Sequence, residues 1–187
     1  MVHLSLFPAV IVLLASIVAA FTDVWKFKVY NILTIPLLVS GLLYNGVVGG
    51  WMGLANSILG LSFGFVILLL FYLIGGMGAG DVKLMAAIGA WLGMPLIFYV
   101  FIASAIAGGI YAILLMIFTS GVQDMMTNMY IMLHRMKIFS RHLIPDTRIE
   151  TEVKRGDRRR RLIPFAMVVS FGVLATFLWL MFDTPTR

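Results

Sequence analysis

Cysteine is absent from the 187-residue sequence, and charged side chains are scarce. Without cysteine the chain has no disulfide, thiolate zinc site, iron–sulfur cluster or cysteine nucleophile. Charged residues make up 12% of the chain, about half the share that is usual in soluble domains. These shortages argue against a soluble protein and against functions that depend on thiol chemistry.

Apolar residues dominate instead, at 61% of the sequence. A helix needs about 20 apolar residues to cross the hydrocarbon core of a bilayer, and runs of this kind recur along the chain. We therefore predict an all-α polytopic membrane helix bundle that forms one domain over residues 1–187. The predicted transmembrane helices are residues 4–21, 29–48, 52–74, 82–93, 95–118 and 162–182, six in all, with the fourth short.

The distribution of basic residues favours six crossings and sets their direction. With six, Lys26, Lys28, Lys83 and the ten Lys and Arg residues within 135–161 lie on one face, and only Arg187 lies on the other. The positive-inside rule then predicts a plasma (inner) membrane protein with both termini outside and the charged loop in the cytoplasm. The net charge of +6 is explained by orientation and anionic lipid rather than by nucleic acid.

The longest polar region covers residues 119–161 and is predicted to be a cytoplasmic basic loop. Its first half has methionines spaced among polar residues, which is typical of an amphipathic helix at the membrane surface. Its second half ends in four consecutive arginines, 158–161. These arginines are expected to anchor the last helix to acidic headgroups, and an alternative is that they also recruit an acidic substrate.

Two acidic side chains, Asp23 and Asp81, are the only ones in the first 118 residues. Both are predicted at cytoplasmic helix ends, where a carboxylate near hydrocarbon is a candidate functional group. Two close carboxyl groups share one proton, so that one accepts a proton from water while the other donates to a peptide carbonyl. This is the chemistry of aspartic peptidases, and it requires no metal and no cofactor. A serine–histidine pair is excluded from the spans because His3, His134 and His142 lie outside them.

Structural roles for these residues are alternatives. Asp81 would cap the first turn of its helix, and Asp23 would pair with Lys26.

The glycine-rich run from Gly75 to Lys83 would let an extended substrate lie against the main chain. Lys83 would either act electrostatically on the two aspartates or extend to the lipid headgroups.

The segment from Gly78 to Lys83 matches the pattern Gly-x-Gly-Asp-x-Lys, and in it the sequence resembles the type IV prepilin peptidase family. An early aspartate followed by basic residues and an asparagine, and a Pro-Phe pair opening the last helix, extend the resemblance over residues 22–166. The residues concerned are Asp23, Lys26, Lys28, Asn31, Pro164 and Phe165. Tyr30 departs from the pattern because proline is common there.

The resemblance implies that Asp23 and Asp81 are the catalytic pair, with Gly78, Gly80 and Lys83 beside the substrate cleft. It implies a membrane-anchored prepilin-like substrate, whose short basic leader is cut after a glycine at the cytoplasmic face. The short forms of tight-adherence (Flp-type) pilus systems are most similar, with archaeal preflagellin peptidases as an alternative. Because cysteines and an insertion after the first helix are absent, neither zinc nor methyltransferase activity is expected.

Two hypotheses from other classes use the same residues. A small ion or proton transporter would employ Asp23 and Asp81 as a relay, although no internal repeat supports this. A membrane scaffold would need neither. Small residues from Ala103 to Gly109 suit helix packing within or between chains, so the pattern leaves the oligomeric state open.

Overall fold

A computed structural model describes residues 6–26, 30–73, 77–118 and 165–183. Within these ranges the chain is helical and contains no strand. The helices are α1 (Leu6–Lys26), α2 (Asn31–Leu73), α3 (Ala79–Phe118) and α4 (Phe165–Asp183). The predicted loop at 119–161, with its amphipathic helix, lies outside the described residues.

Each of the four helices contains an apolar stretch long enough to cross a bilayer, so the protein is an integral membrane protein. The predicted count of six helices is not confirmed, because the second and third predicted helices are joined in α2 and the fourth and fifth in α3. The predicted glycine-rich connection is also shorter than expected, since α3 already begins at Ala79.

The two long helices each contain one residue with non-helical dihedral angles. Gly50 has φ 58° and ψ −147°, and Gly93 has φ 75° and ψ 178°. Both φ values lie in the left-handed region, which glycine adopts without the steric penalty of a Cβ. The helix resumes directly after each glycine. The predicted gap at residues 49–51 is therefore reduced to one residue, and the predicted gap at residue 94 is displaced by one position to Gly93.

The chain folds against itself around each of these glycines. A Cβ added at Gly53 would contact the carbonyl oxygen of Asn45, whereas eight residues of uninterrupted helix would separate the two by about 12 Å. The fold in α3 shows in its contacts with two adjacent residues of α2: Gly64 packs against Met85, and the Phe63 ring lies 5.8 Å from that of Phe98. An uninterrupted helix would place Met85 and Phe98 about 20 Å apart.

Polar side chains of α2 satisfy the backbone groups beside Gly93. The Asn45 amide donates to the carbonyl oxygens of Ala90 at 2.9 Å and Trp91 at 3.2 Å, and the Ser57 hydroxyl also donates to Ala90. The N–H of Met94 donates to the side chain of Asn56 at 3.2 Å. Since lipid offers no hydrogen bonds, such partners are what permits an irregular residue within a membrane protein.

Helix α3 packs against α2 and α4 and makes a smaller contact with α1, and its first part is deeply buried. Its apolar residues from Val82 to Leu92 are almost all fully buried, and many large apolar side chains on the other helices face outward. Close approach to α2 depends on glycine, because Gly60 and Gly89 meet backbone to backbone. This packing fixes the helix that carries Asp81.

Candidate active site

Asp23 lies near the end of α1 and is only 7% exposed. One of its carboxylate oxygens accepts a hydrogen bond of 3.0 Å from the backbone N–H of Ala166, the second residue of α4. The first N–H groups of a helix have no partner within it and favour a negative charge. The start of α4 therefore holds the Asp23 carboxylate. The alternative partner, the Lys26 side chain, lies outside the described side chains.

Asp81 is the third residue of α3 and is half-buried. Its carboxylate accepts a hydrogen bond from the Gly78 N–H at 3.2 Å, and its own N–H donates to the Gly78 carbonyl at 3.1 Å. The capping role considered from the sequence is therefore present, with Gly78 preceding the helix. A Cβ at Gly78 would lie 3.3 Å from the Asp81 carboxylate, which is tight for any residue larger than glycine.

The two aspartates lie at the same end of the bundle, where α1 ends and α3 and α4 begin. They are near enough for the charge of Asp23 to act on Asp81. Each carboxylate accepts a hydrogen bond from one backbone N–H group. The donor is Ala166 in α4 for Asp23 and Gly78 before α3 for Asp81. Two carboxyl groups that come into contact share a proton and serve as acid and base. Their catalytic role stays a prediction.

Lys83 is exposed, and its ammonium group donates to the side-chain oxygen of Asn31, the first residue of α2, at 2.9 Å. This contact differs from both sequence interpretations of Lys83, which considered the aspartates and the lipid headgroups. Gly80 lies in the first turn of α3. Among the described residues, no three His, Cys, Asp or Glu side chains are grouped so as to hold a metal ion.

Sequence reasoning missed two groups at this site. The Ala166 N–H is a backbone donor, so no side-chain pattern marks it. Asn31 belongs to the pattern that carries the family resemblance, but the resemblance implies no role for it. The available signal for such a contact was a polar residue at the start of one predicted helix and a lysine near the start of another, two positions after Asp81.

Comparisons with known proteins identify the family. Residues 10–113, more than half of the chain, match the model of the type IV leader peptidase family. A prepilin leader peptidase/N-methyltransferase of Aeromonas salmonicida is 40% identical over 100 residues, which cover 50% of this chain and 34% of that protein. The protein of that name from Bacillus subtilis is 34% identical over 113 residues, covering 59% and 45%.

The chain thus matches only about a third to under a half of the length of these relatives. No solved structure matches it significantly. The matched residues 10–113 include both aspartates, the glycines before Asp81 and the Lys83–Asn31 contact. The chain therefore belongs to the type IV leader peptidase family.

Proposed function

We propose that the protein is an intramembrane aspartic endopeptidase that removes the short leader from prepilin-like precursors at the cytoplasmic face of the inner membrane. Family membership and the names of the relatives support a prepilin substrate. The observation that carries the aspartic mechanism is the placement of Asp23 and Asp81 at one end of the bundle, within electrostatic reach of each other.

In the proposed reaction, one carboxylate accepts a proton from a water molecule while the water oxygen attacks the scissile carbonyl carbon. The protonated partner donates to the carbonyl oxygen, which gives a tetrahedral intermediate with two hydroxyl groups. As its C–N bond breaks, the first aspartate gives the proton that it took from water to the leaving amine, and the second takes a proton back from one hydroxyl, so both return to their starting states. The N–H groups of Ala166 and Gly78 orient the two acids in advance, which limits reorganisation during the reaction.

Gly78 and Gly80 are proposed to line the cleft. An extended substrate that adds as a strand needs close access to the enzyme main chain, and glycine provides it. Gly78 is exposed beside Asp81, so a precursor entering from the membrane edge would meet it together with the carboxylate. Assignment to Flp-type systems and the lack of methyltransferase activity remain predictions from the sequence.

The membrane topology follows as a second proposal, in which α2 and α3 each cross the bilayer twice. Its support is that each helix folds against itself at Gly50 or Gly93. Moreover, α2 has 43 residues, about 65 Å if straight, twice the roughly 30 Å of a hydrocarbon core. Six crossings place both termini outside and the aspartates on the cytoplasmic side.

Single cysteines test this topology, since the natural chain has none. Met52 is 81% exposed and lies two residues after Gly50. The Met52→Cys variant is expected to react with an impermeant maleimide added outside. Ala79→Cys is expected to react only after permeabilisation. If α2 crossed once, position 52 would lie within the bilayer and remain unlabelled, contrary to the proposal.

Leader removal itself is tested by co-expressing the full chain with a precursor that has a basic leader, a glycine and one apolar helix. We expect a size shift of the precursor and a new N-terminus directly after the glycine, by electrophoresis and N-terminal sequencing. A precursor whose glycine is replaced by tryptophan is the matched control and should stay uncut. Equal processing of both precursors would contradict cleavage at the proposed position.

A further inference from the structure

A hydrogen bond joins the first residue of α2 to the fifth residue of α3. The Lys83 ammonium group donates to the Asn31 side-chain oxygen at 2.9 Å across 52 positions of sequence. The start of α2 is itself well formed, because the N–H groups of Leu33 and Thr34 donate to the Tyr30 carbonyl at 3.0 and 3.3 Å. Asn31 is thus a fixed acceptor rather than part of a frayed helix end.

Lys83 and Asp81 leave α3 in nearly opposite directions. Two residues correspond to about 200° of rotation around a helix, so the Lys83 stem points away from the side that carries the Asp81 carboxylate. The residues on either side of Lys83, Val82 and Leu84, are 3% and 0% exposed. Lys83 therefore holds the helix from the α2 side, while Asp81 faces Asp23 on α1.

The hydrogen bonds of Asp81 itself do not perform this task. Its carboxylate and its N–H both bond to Gly78 in the same turn, so they shape the turn but do not attach it to another helix. A rotation of the first turn of α3 would carry Asp81 and Gly78 together away from Asp23. The bond to Asn31 opposes that rotation.

We propose that Lys83 and Asn31 are positioning residues that act as a pair, fixing the rotation of the first turn of α3 and hence the placement of Asp81 against Asp23. Their contribution to leader cleavage rests on the proposed function. The geometric part, that the pair keeps positions 23 and 81 together, is independent of any reaction.

The kinetic test compares variants of similar size. Asn31→Leu removes the acceptor, Lys83→Met removes the donor, and each is expected to lower kcat by about ten- to a hundredfold with KM unchanged, as small misplacements of reacting groups do. Because the two act together, the double variant should be no slower than either single variant. Asn31→Asp and Lys83→Arg keep the bond and should retain kcat. The proposal would be overturned if the fold-losses in kcat of the two single variants multiplied in the double variant, or if the single variants changed KM alone.

The geometric test needs no activity. In the cysteine-free chain, the double variant Asp23→Cys with Asp81→Cys can be joined by a short bis-methanethiosulfonate crosslinker in the native membrane. Adding Asn31→Leu or Lys83→Met is expected to reduce the crosslinked fraction severalfold, whereas Asn31→Asp should leave it unchanged. If the Asn31→Leu, Lys83→Met and Asn31→Asp chains all crosslinked equally, the positioning role would be overturned even if the wild type cleaves. A lower crosslinked fraction with Asn31→Leu and Lys83→Met would support it even if no precursor is cut.

Discussion

Asp23→Asn and Asp81→Asn are each expected to abolish leader cleavage, with kcat lowered by about a thousandfold or more. Asparagine has nearly the same size as aspartate and can still accept a hydrogen bond from Ala166 or Gly78, but it neither takes up nor releases a proton. General acid and base catalysis contributes about 10²- to 10⁴-fold for each group, and the two aspartates act in one step. Single-turnover cleavage of a purified precursor in lipid measures the loss.

Asp183→Asn is the matched control, because Asp183 ends α4 while Asp23 contacts its beginning. This variant should cleave at the wild-type rate, and all three should accumulate equally in the membrane. Normal cleavage by the Asp23 or the Asp81 variant would contradict the aspartic mechanism. A transporter would instead lose proton or ion flux in these two variants, and a scaffold would keep its function in both.

The two aspartates were predictable as candidate catalytic residues because acidic side chains are so rare in the apolar part of the chain. Their proximity depends on something the sequence does not display, namely the packing of α1, α3 and α4 against one another. Hydrogen bonds across helices, such as Ala166 to Asp23 and Lys83 to Asn31, join residues that are 143 and 52 positions apart. Local periodicity carries no information about such pairs.

The helix boundaries show a different limit. The predicted gaps at residues 49–51 and 94 contain or adjoin the two residues with non-helical dihedral angles, Gly50 and Gly93, although six separate helices are not confirmed. A single glycine at positive φ changes the direction of the chain without a loop. Pro95 follows only two residues after Gly93, in the first turn, where a missing N–H carries no penalty. Helical hydrogen bonding therefore continues on both sides.

Gly60→Leu is expected to prevent normal assembly of α2 against α3, lowering the free energy of unfolding by about 3 kcal/mol or more. A Cβ at Gly60 would contact the Gly89 carbonyl oxygen and would lie 2.7 and 2.8 Å from the carbonyl carbon and Cα of Gly93. All of these are backbone atoms, so no side chain can move aside. The helix that carries Asp81 would be displaced as a whole, and leader cleavage should fall together with stability.

Gly109→Leu is the matched control in α3, because a Cβ there has nothing within 4 Å. Replacing an exposed helical glycine should stabilise the helix by up to about 1 kcal/mol, so the same substitution has opposite signs at the two positions. Gly60→Ala should lie between them, since a single methyl already contacts the backbone of α3. Unfolding titrations in mixed micelles, with cleavage assayed on the same samples, measure both effects. Equal stability of the Gly60 and Gly109 variants would mean that α2 and α3 do not approach each other backbone to backbone at this crossing, and the position of α3 would then need another cause.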